Sequence, residues 1–210
     1  MLDSILSEKL DIYLLGGAVM AIIGLKAGTK DIDVIVEHEK DHRSLISSLE
    51  KCRYFVLQPQ DLSKPYFELS ATALQNCEGF RWEVFVEYVA KKLALTSTVQ
   101  KRATEIYSGD KLTVFRLSNE DLFLMKAMTE RDRDLEDMSI LARSGLDYGI
   151  ILRECTSQSK MDPRGNIWES SLYEKCLELK NVYGIEVPFL KELKKISIRK
   201  IMQNKGKRHS

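Results

Sequence analysis

A short apolar run, Ile12 to Leu15, ends in the glycine pair Gly16-Gly17, and thirteen residues later a β-branched run opens on Asp31-Ile32-Asp33. The first run suits a buried strand with a tight exit. AVMAIIGLKAG reads as a helix stopped by Gly28, and Asp31 to Val36 as a second strand. Strand, glycine turn, helix and strand in so short a span commit the first half of the chain to mixed α/β structure.

The two aspartates make that segment chemical as well as structural. Carboxylates at i and i+2 of a strand face the same side with Cα atoms about 6.5–7 Å apart, given a rise of about 3.3 Å per residue. Two acids so close repel unless a cation lies between them, and ligation by oxygen alone selects a hard ion, magnesium or manganese. A third carboxylate from a neighbouring strand, Glu83 or Glu87, would complete a two-metal clamp for phosphoryl or nucleotidyl transfer. The glycine pair fits the same chemistry, because a backbone without side chains lets N–H groups approach a triphosphate closely.

Further strands are expected in YFVLQ, PYFEL, Phe80 to Val89 and Lys111 to Leu117. In the third, alternation puts Glu83, Phe85 and Glu87 on one face and Trp82, Val84, Val86 and Tyr88 on the other. Ser118 with Asp121 resembles a capping box, and nearly everything beyond reads as helix. Trp168, Leu172, Cys176, Leu179 and Tyr183 recur at helical spacing, and Pro188 suits the first turn of a last helix. The expected class is α+β: a mixed β-sheet flanked by helices over residues 1–117, then a helical C-terminal region over 118–210.

Charge matters by position more than in total. The chain has 210 residues and a formal net charge of +1, yet its last 20 residues hold eight basic residues and one acidic, which leaves residues 1–190 at −6. A basic tail of this kind is either a solvated end or an electrostatic foot for RNA; it has no aromatic residue for base stacking. No stretch approaches the roughly 20 apolar residues of a membrane span, and the N-terminal segment lacks a signal-peptide pattern, so the expected address is cytoplasmic, with no membrane partner. The four cysteines contain no CxxC pair, so reduced thiols in or near cores are expected rather than a zinc ribbon.

Two other motifs compete. His38 to His42 satisfies H-E-x-x-H, but it follows a strand among charged residues, and the only other histidine is His209. A dinucleotide fold would need G-x-G-x-x-G, whereas the glycines are 16, 17 and 24; Asp31 also opens its strand, where a ribose-binding acid belongs at the end, as Glu37 does.

In order, LLGG, DIDV, RWEVFVE, LSNEDLFLMK and RDRDLED resemble the nucleotidyltransferase superfamily, of polymerase-β-like fold, with GGAVM and TKDIDV most similar to its abortive-infection toxin-type group. The resemblance covers Ile12 to Leu141. It implies that Gly16 and Gly17 hold a nucleoside triphosphate, that Asp31, Asp33 and Glu83 are catalytic and bind Mg2+ or Mn2+, and that Lys126 and Asp134 or Asp137 contact the nucleotide. It further implies an RNA acceptor such as a tRNA 3′ end, in a toxin-like role with an antitoxin partner; an aminoglycoside or a protein hydroxyl is the alternative acceptor. A nucleotide- or RNA-binding module without catalysis is the alternative function, since fold does not establish activity. Read from the residues alone, Lys126 is either a snorkelling surface lysine or a charge aimed at a pocket. RDRDLED is likewise either an exposed helix face with Arg133 and Asp137 paired or part of the site.

Overall fold

The computed structural model describes residues 1–58, 71–89, 92–129, 131–162 and 167–207. The chain divides into two compact units, Met1–Ser118 and Asn119–Ser210.

The first unit opens with a short helix, α1 (Leu2–Ile5), followed by β1 (Leu10–Leu15), α2 (Gly16–Ile22), β2 (Asp31–Val36) and α3 (Glu39–Lys51). Then come β3 (Phe55–Val56), β4 (Thr72–Gln75), β5 (Arg81–Val86), β6 (Tyr88–Val89), β7 (Leu93–Ala94), α4 (Ser97–Arg102), β8 (Thr104–Ser108) and β9 (Leu112–Arg116). Seven strands form one mixed sheet in the order β3-β4-β5-β2-β1-β9-β8. β1 runs antiparallel to β2 and parallel to β9, while β2 runs parallel to β5. The central strands are therefore β5, β2 and β1, the ones that carry the acids and the glycine pair.

Burial explains why these strands are central. Ile12, Leu15, Val34, Ile35, Val36, Val84 and Phe85 are all buried, as the apolar runs require. In α3, Leu45 and Leu49 stand at i and i+4 and are buried against the sheet; covering a leucine in this way contributes about 1.5–3 kcal/mol. Val19 and Met20 do the same for α2. A separate clamp holds the N-terminus: the Asp3 carboxylate accepts hydrogen bonds from the N–H groups of Lys111 (2.8 Å), Leu112 (2.7 Å) and Asp110 (3.2 Å). Those N–H groups, Lys111 first, hold its carboxyl below the usual range.

The second unit is helical: α5 (Asn119–Ala127), α6 (Asp132–Arg143), α7 (Tyr148–Met161), α8 (Ile167–Tyr183) and α9 (Leu190–Lys207). The periodic residues Trp168, Leu172, Cys176 and Leu179 are all buried in it, and burial pushes the Cys176 thiol up to about 12. Asp147 caps α7 by accepting from the N–H groups of Gly149 and Ile150. The last helix docks through Leu193 and Ser197 and leaves Lys191, Lys194, Lys195 and Arg199 exposed.

Several elements differ from the sequence reading. The expected strand Phe80 to Val89 is two strands, because Glu87 takes φ +57 and turns the chain out of the large sheet after Val86; β6 then pairs with β7 in a small second sheet. The helix after the glycine pair ends at Ile22 rather than at Gly28, since Gly24 at φ +76 breaks it. YFVLQ yields only Phe55–Val56, and PYFEL lies outside the described residues. β4 and β8 were not anticipated, their sequences TALQ and TEIYS having few aliphatic residues. Of the cysteines, Cys155 and Cys176 are buried, whereas Cys77 is exposed; all four are free.

Candidate active site

The register of the central strands gathers the proposed residues on one sheet face. β1 delivers Leu15 opposite Asp33 across the β1–β2 pair, so the glycine pair follows directly beside that aspartate. Asp31 and Asp33, two apart on β2, share a face. On β5, Arg81 is the register partner of Asp31 and Glu83 that of Asp33, and adjacent strands lie about 4.8 Å apart. Glu83 therefore stands beside Asp33. Glu87 does not: it lies beyond the end of β5 at the positive-φ turn and is exposed.

Gly16 is where sequence and geometry meet most tightly. It has φ +66, and a Cβ on it would sit 2.2 Å from Asp33 Oδ2. Only glycine permits both the left-handed backbone and the close approach of the carboxylate. Gly17 is under less constraint, since a Cβ there would meet Thr29 Oγ1 at 3.6 Å, an ordinary contact. Thr29 in turn fixes the entry to β2: its hydroxyl accepts from the Asp31 N–H at 3.0 Å and lies 3.2 Å from the Asp31 carbonyl oxygen. Lys30, beside Asp31 in sequence, stands over the Phe80 ring, 5.9 Å from its centroid.

Burial differs sharply among the three acids. Asp31 is exposed and Asp33 half-buried, whereas Glu83 is 3% exposed. Glu83 has a cationic neighbour, with Arg81 Nη2 3.2 Å from its Oε1. The donor set, three carboxylates on one face, has the chemistry of a hard divalent ion. Among the described residues, however, no group of three or more His, Cys, Asp or Glu stands at metal-holding spacing. Arg81 and Thr29 are the residues that sequence reasoning missed. Strand alternation is the signal for Arg81, two positions before Glu83, and a hydroxyl two residues before the first aspartate is the signal for Thr29.

Lys126 and Asp134 belong to the helical unit and meet each other there. Lys126 Nζ lies 2.9 Å from Asp134 Oδ1 and 2.5 Å from Asp137 Oδ2, and all three residues are buried. The Thr129 hydroxyl bonds Asp134 as well. RDRDLED is an exposed face only in part: Arg131, Arg133 and Glu136 are exposed, whereas Asp134 and Asp137 turn inward and join α6 to α5, because a lysine buried in an apolar helix needs counter-charges. The H-E-x-x-H residues also separate. His38 is the exposed N-cap of α3, and His42 is bonded to Thr72 Oγ1 of β4 at 2.9 Å, its desolvated ring held below the usual histidine value.

A glycine turn closes on an Asp-x-Asp strand, with a third acid in register on the adjacent strand. The chain belongs to the family described as "Nucleotidyltransferase of unknown function (DUF6036)", whose model matches residues 3–148. No curated protein matches it. Among solved structures it is similar to JHP933 from Helicobacter pylori, at 10% identity and TM-score 0.39, over 95% of this chain and 89% of that one.

Proposed function

We propose that this chain is a divalent-metal-dependent nucleotidyltransferase that moves a nucleoside monophosphate from a triphosphate to a hydroxyl acceptor. The observation that carries the reading is the closure of Gly16 on Asp33, with Asp31 on the same face and Glu83 in register beside it. In this reading Asp31, Asp33 and Glu83 hold Mg2+ or Mn2+, which when bound supplies activation of the acceptor oxygen and charge stabilisation of the departing pyrophosphate. Gly16 and Gly17 leave the backbone bare where the triphosphate lies, and Thr29 keeps Asp31 in line. The ammonium of Lys126 is engaged by Asp134 and Asp137, so the proposal assigns that trio to holding α5 and α6 together and not to the phosphates. RNA is the acceptor class we favour, because Lys191, Lys194, Lys195 and Arg199 form an exposed basic row on α9. The proposed abortive-infection type of role, with an antitoxin partner, rests on the resemblance of GGAVM and TKDIDV alone.

The second reading, a nucleotide-binding module without catalysis, draws on the Arg81 guanidinium at Glu83. Calorimetry separates the two. With triphosphates titrated into the protein, the transferase reading expects binding that depends on Mg2+ and is lost on chelation. Binding indifferent to Mg2+ would favour the module.

A further inference from the structure

The edge strand β3 turns an aromatic ring toward solvent on the same face as the acids. Tyr54 meets Trp82 edge-on, with ring centroids 6.3 Å apart, and Trp82 lies on the side of β5 opposite Arg81 and Glu83. Alternation therefore puts Phe55 on the acidic face, where it is 66% exposed. The register continues the row: Phe55 pairs with Gln75, Gln75 with Arg81, and Arg81 with Asp31. Three strand spacings of about 4.8 Å set Phe55 about 14 Å from Asp31.

The turn that delivers Phe55 is strained. α3 ends in a Schellman motif, in which the Arg53 N–H donates to the Glu50 carbonyl at 2.9 Å and the Tyr54 N–H to that of Leu49 at 3.1 Å. Glycine is the usual residue at the left-handed position of this motif, yet here it is Arg53, at φ +66. Arg53 and Lys51 are both exposed. A cation kept where glycine would be easier, two residues before an exposed ring, points to a role outside folding.

We propose that the β3 edge is the shelf on which a single-stranded RNA acceptor lies, with one base stacked on Phe55 and a phosphate held by Arg53. The inference rests on the transferase reading above for the direction of approach. The glycine turn follows β1 on one side of β2, whereas β5, β4 and β3 extend from the other. With the triphosphate at the glycines, the acceptor is left the β3 flank. An aromatic face with cations beside it is the combination that binds single strands with little regard to sequence. Gln75, half-buried and next to Phe55 in register, offers an amide to a base edge.

The test is fluorescence anisotropy of a labelled oligoadenylate with the full chain in the presence of a chelator, so that binding is read without metal. Phe55→Ala should weaken binding about tenfold with its salt dependence unchanged, and Phe55→Trp should keep it. Arg53→Gly should also weaken binding, and should flatten the slope of log affinity against log salt by about 0.7, the share of one phosphate contact on a single strand. Its melting temperature should stay at or above that of the wild type, because glycine suits the turn; a merely structural role for Arg53 would not weaken binding in a protein of undiminished stability. If the wild type binds, and Phe55→Ala and Arg53→Gly bind as well as it does, the shelf is overturned and the RNA acceptor stands, docked elsewhere. A wild type that does not bind the oligoadenylate even at low salt overturns the shelf and the RNA acceptor together.

Discussion

Lys126→Met should lower the stability of the protein by about 3–5 kcal/mol, the usual cost of removing one partner from a buried ion pair. The ammonium serves two carboxylates, Asp134 at 2.9 Å and Asp137 at 2.5 Å, and each of these residues is less than a tenth exposed. Methionine nearly matches the volume of the lysine stem, so packing is kept and the charge alone is lost. Two carboxylates of like sign then face each other in a helical core with little water to screen them. Urea unfolding reads the effect as a fall in midpoint at unchanged slope. Lys126→Met combined with Asp134→Asn and Asp137→Asn removes every charge of the trio and should regain most of the loss. A midpoint for Lys126→Met within about 0.5 kcal/mol of the wild type, the range of ordinary surface changes, would mean that the trio does not hold the helices.

Gly16→Ala should cost less in stability and far more in function. A left-handed backbone costs a non-glycine residue about 1–2 kcal/mol. The added methyl would also lie 2.2 Å from Asp33 Oδ2, which no packed structure tolerates. The cheapest relief is rotation of the Asp33 carboxylate away from the glycine, because the alternative is to shift β1 against β2. That rotation takes the carboxylate off the face on which it is proposed to act with Asp31 and Glu83. A displacement of about 1 Å at a reacting centre costs on the order of 100-fold in rate, so transfer should fall at least that far while the protein remains folded. Gly17→Ala is the matched control: its methyl would meet Thr29 at 3.6 Å, and thermal stability should hardly change. Transfer by Gly16→Ala within a few-fold of wild type would show that Asp33 does not act from the position it occupies.

Much of the site was legible because it is local. The glycine pair, the thirteen-residue spacer and the Asp-x-Asp opening of β2 lie within one strand-helix-strand unit, where turn chemistry and strand alternation suffice. Glu83 required a choice between two acids on an apparently continuous strand. The positive φ of Glu87 decides where β5 ends, and nothing in the side-chain pattern of RWEVFVEYV announces it. Arg81 stands two positions before Glu83 on the same side of β5, and a basic residue opening a strand reads as a solvated end unless the acid beside it is known to be buried. The turn of Asp134 and Asp137 toward Lys126 was equally hidden. An acidic, basic-flanked segment reads as a solvated face unless the buried lysine on the preceding helix is known to need partners. Strands β4 and β8 are set by pairing with β5 and β9 rather than by their own sequences, and tertiary pairing of that kind leaves little local trace.

The most direct test of the central claim is transfer itself. Wild-type protein and Asp31→Ala/Asp33→Ala would each be incubated with Mg2+, labelled nucleoside triphosphates and total RNA, and the label covalently attached to RNA would be counted. Wild type should label RNA in a Mg2+-dependent manner, and the double variant should fall to background while keeping its fold. Equal labelling by the two proteins, or none by the wild type with RNA, an aminoglycoside or protein as acceptor, would contradict the assignment of the Asp31–Asp33 face as a nucleotidyltransferase site.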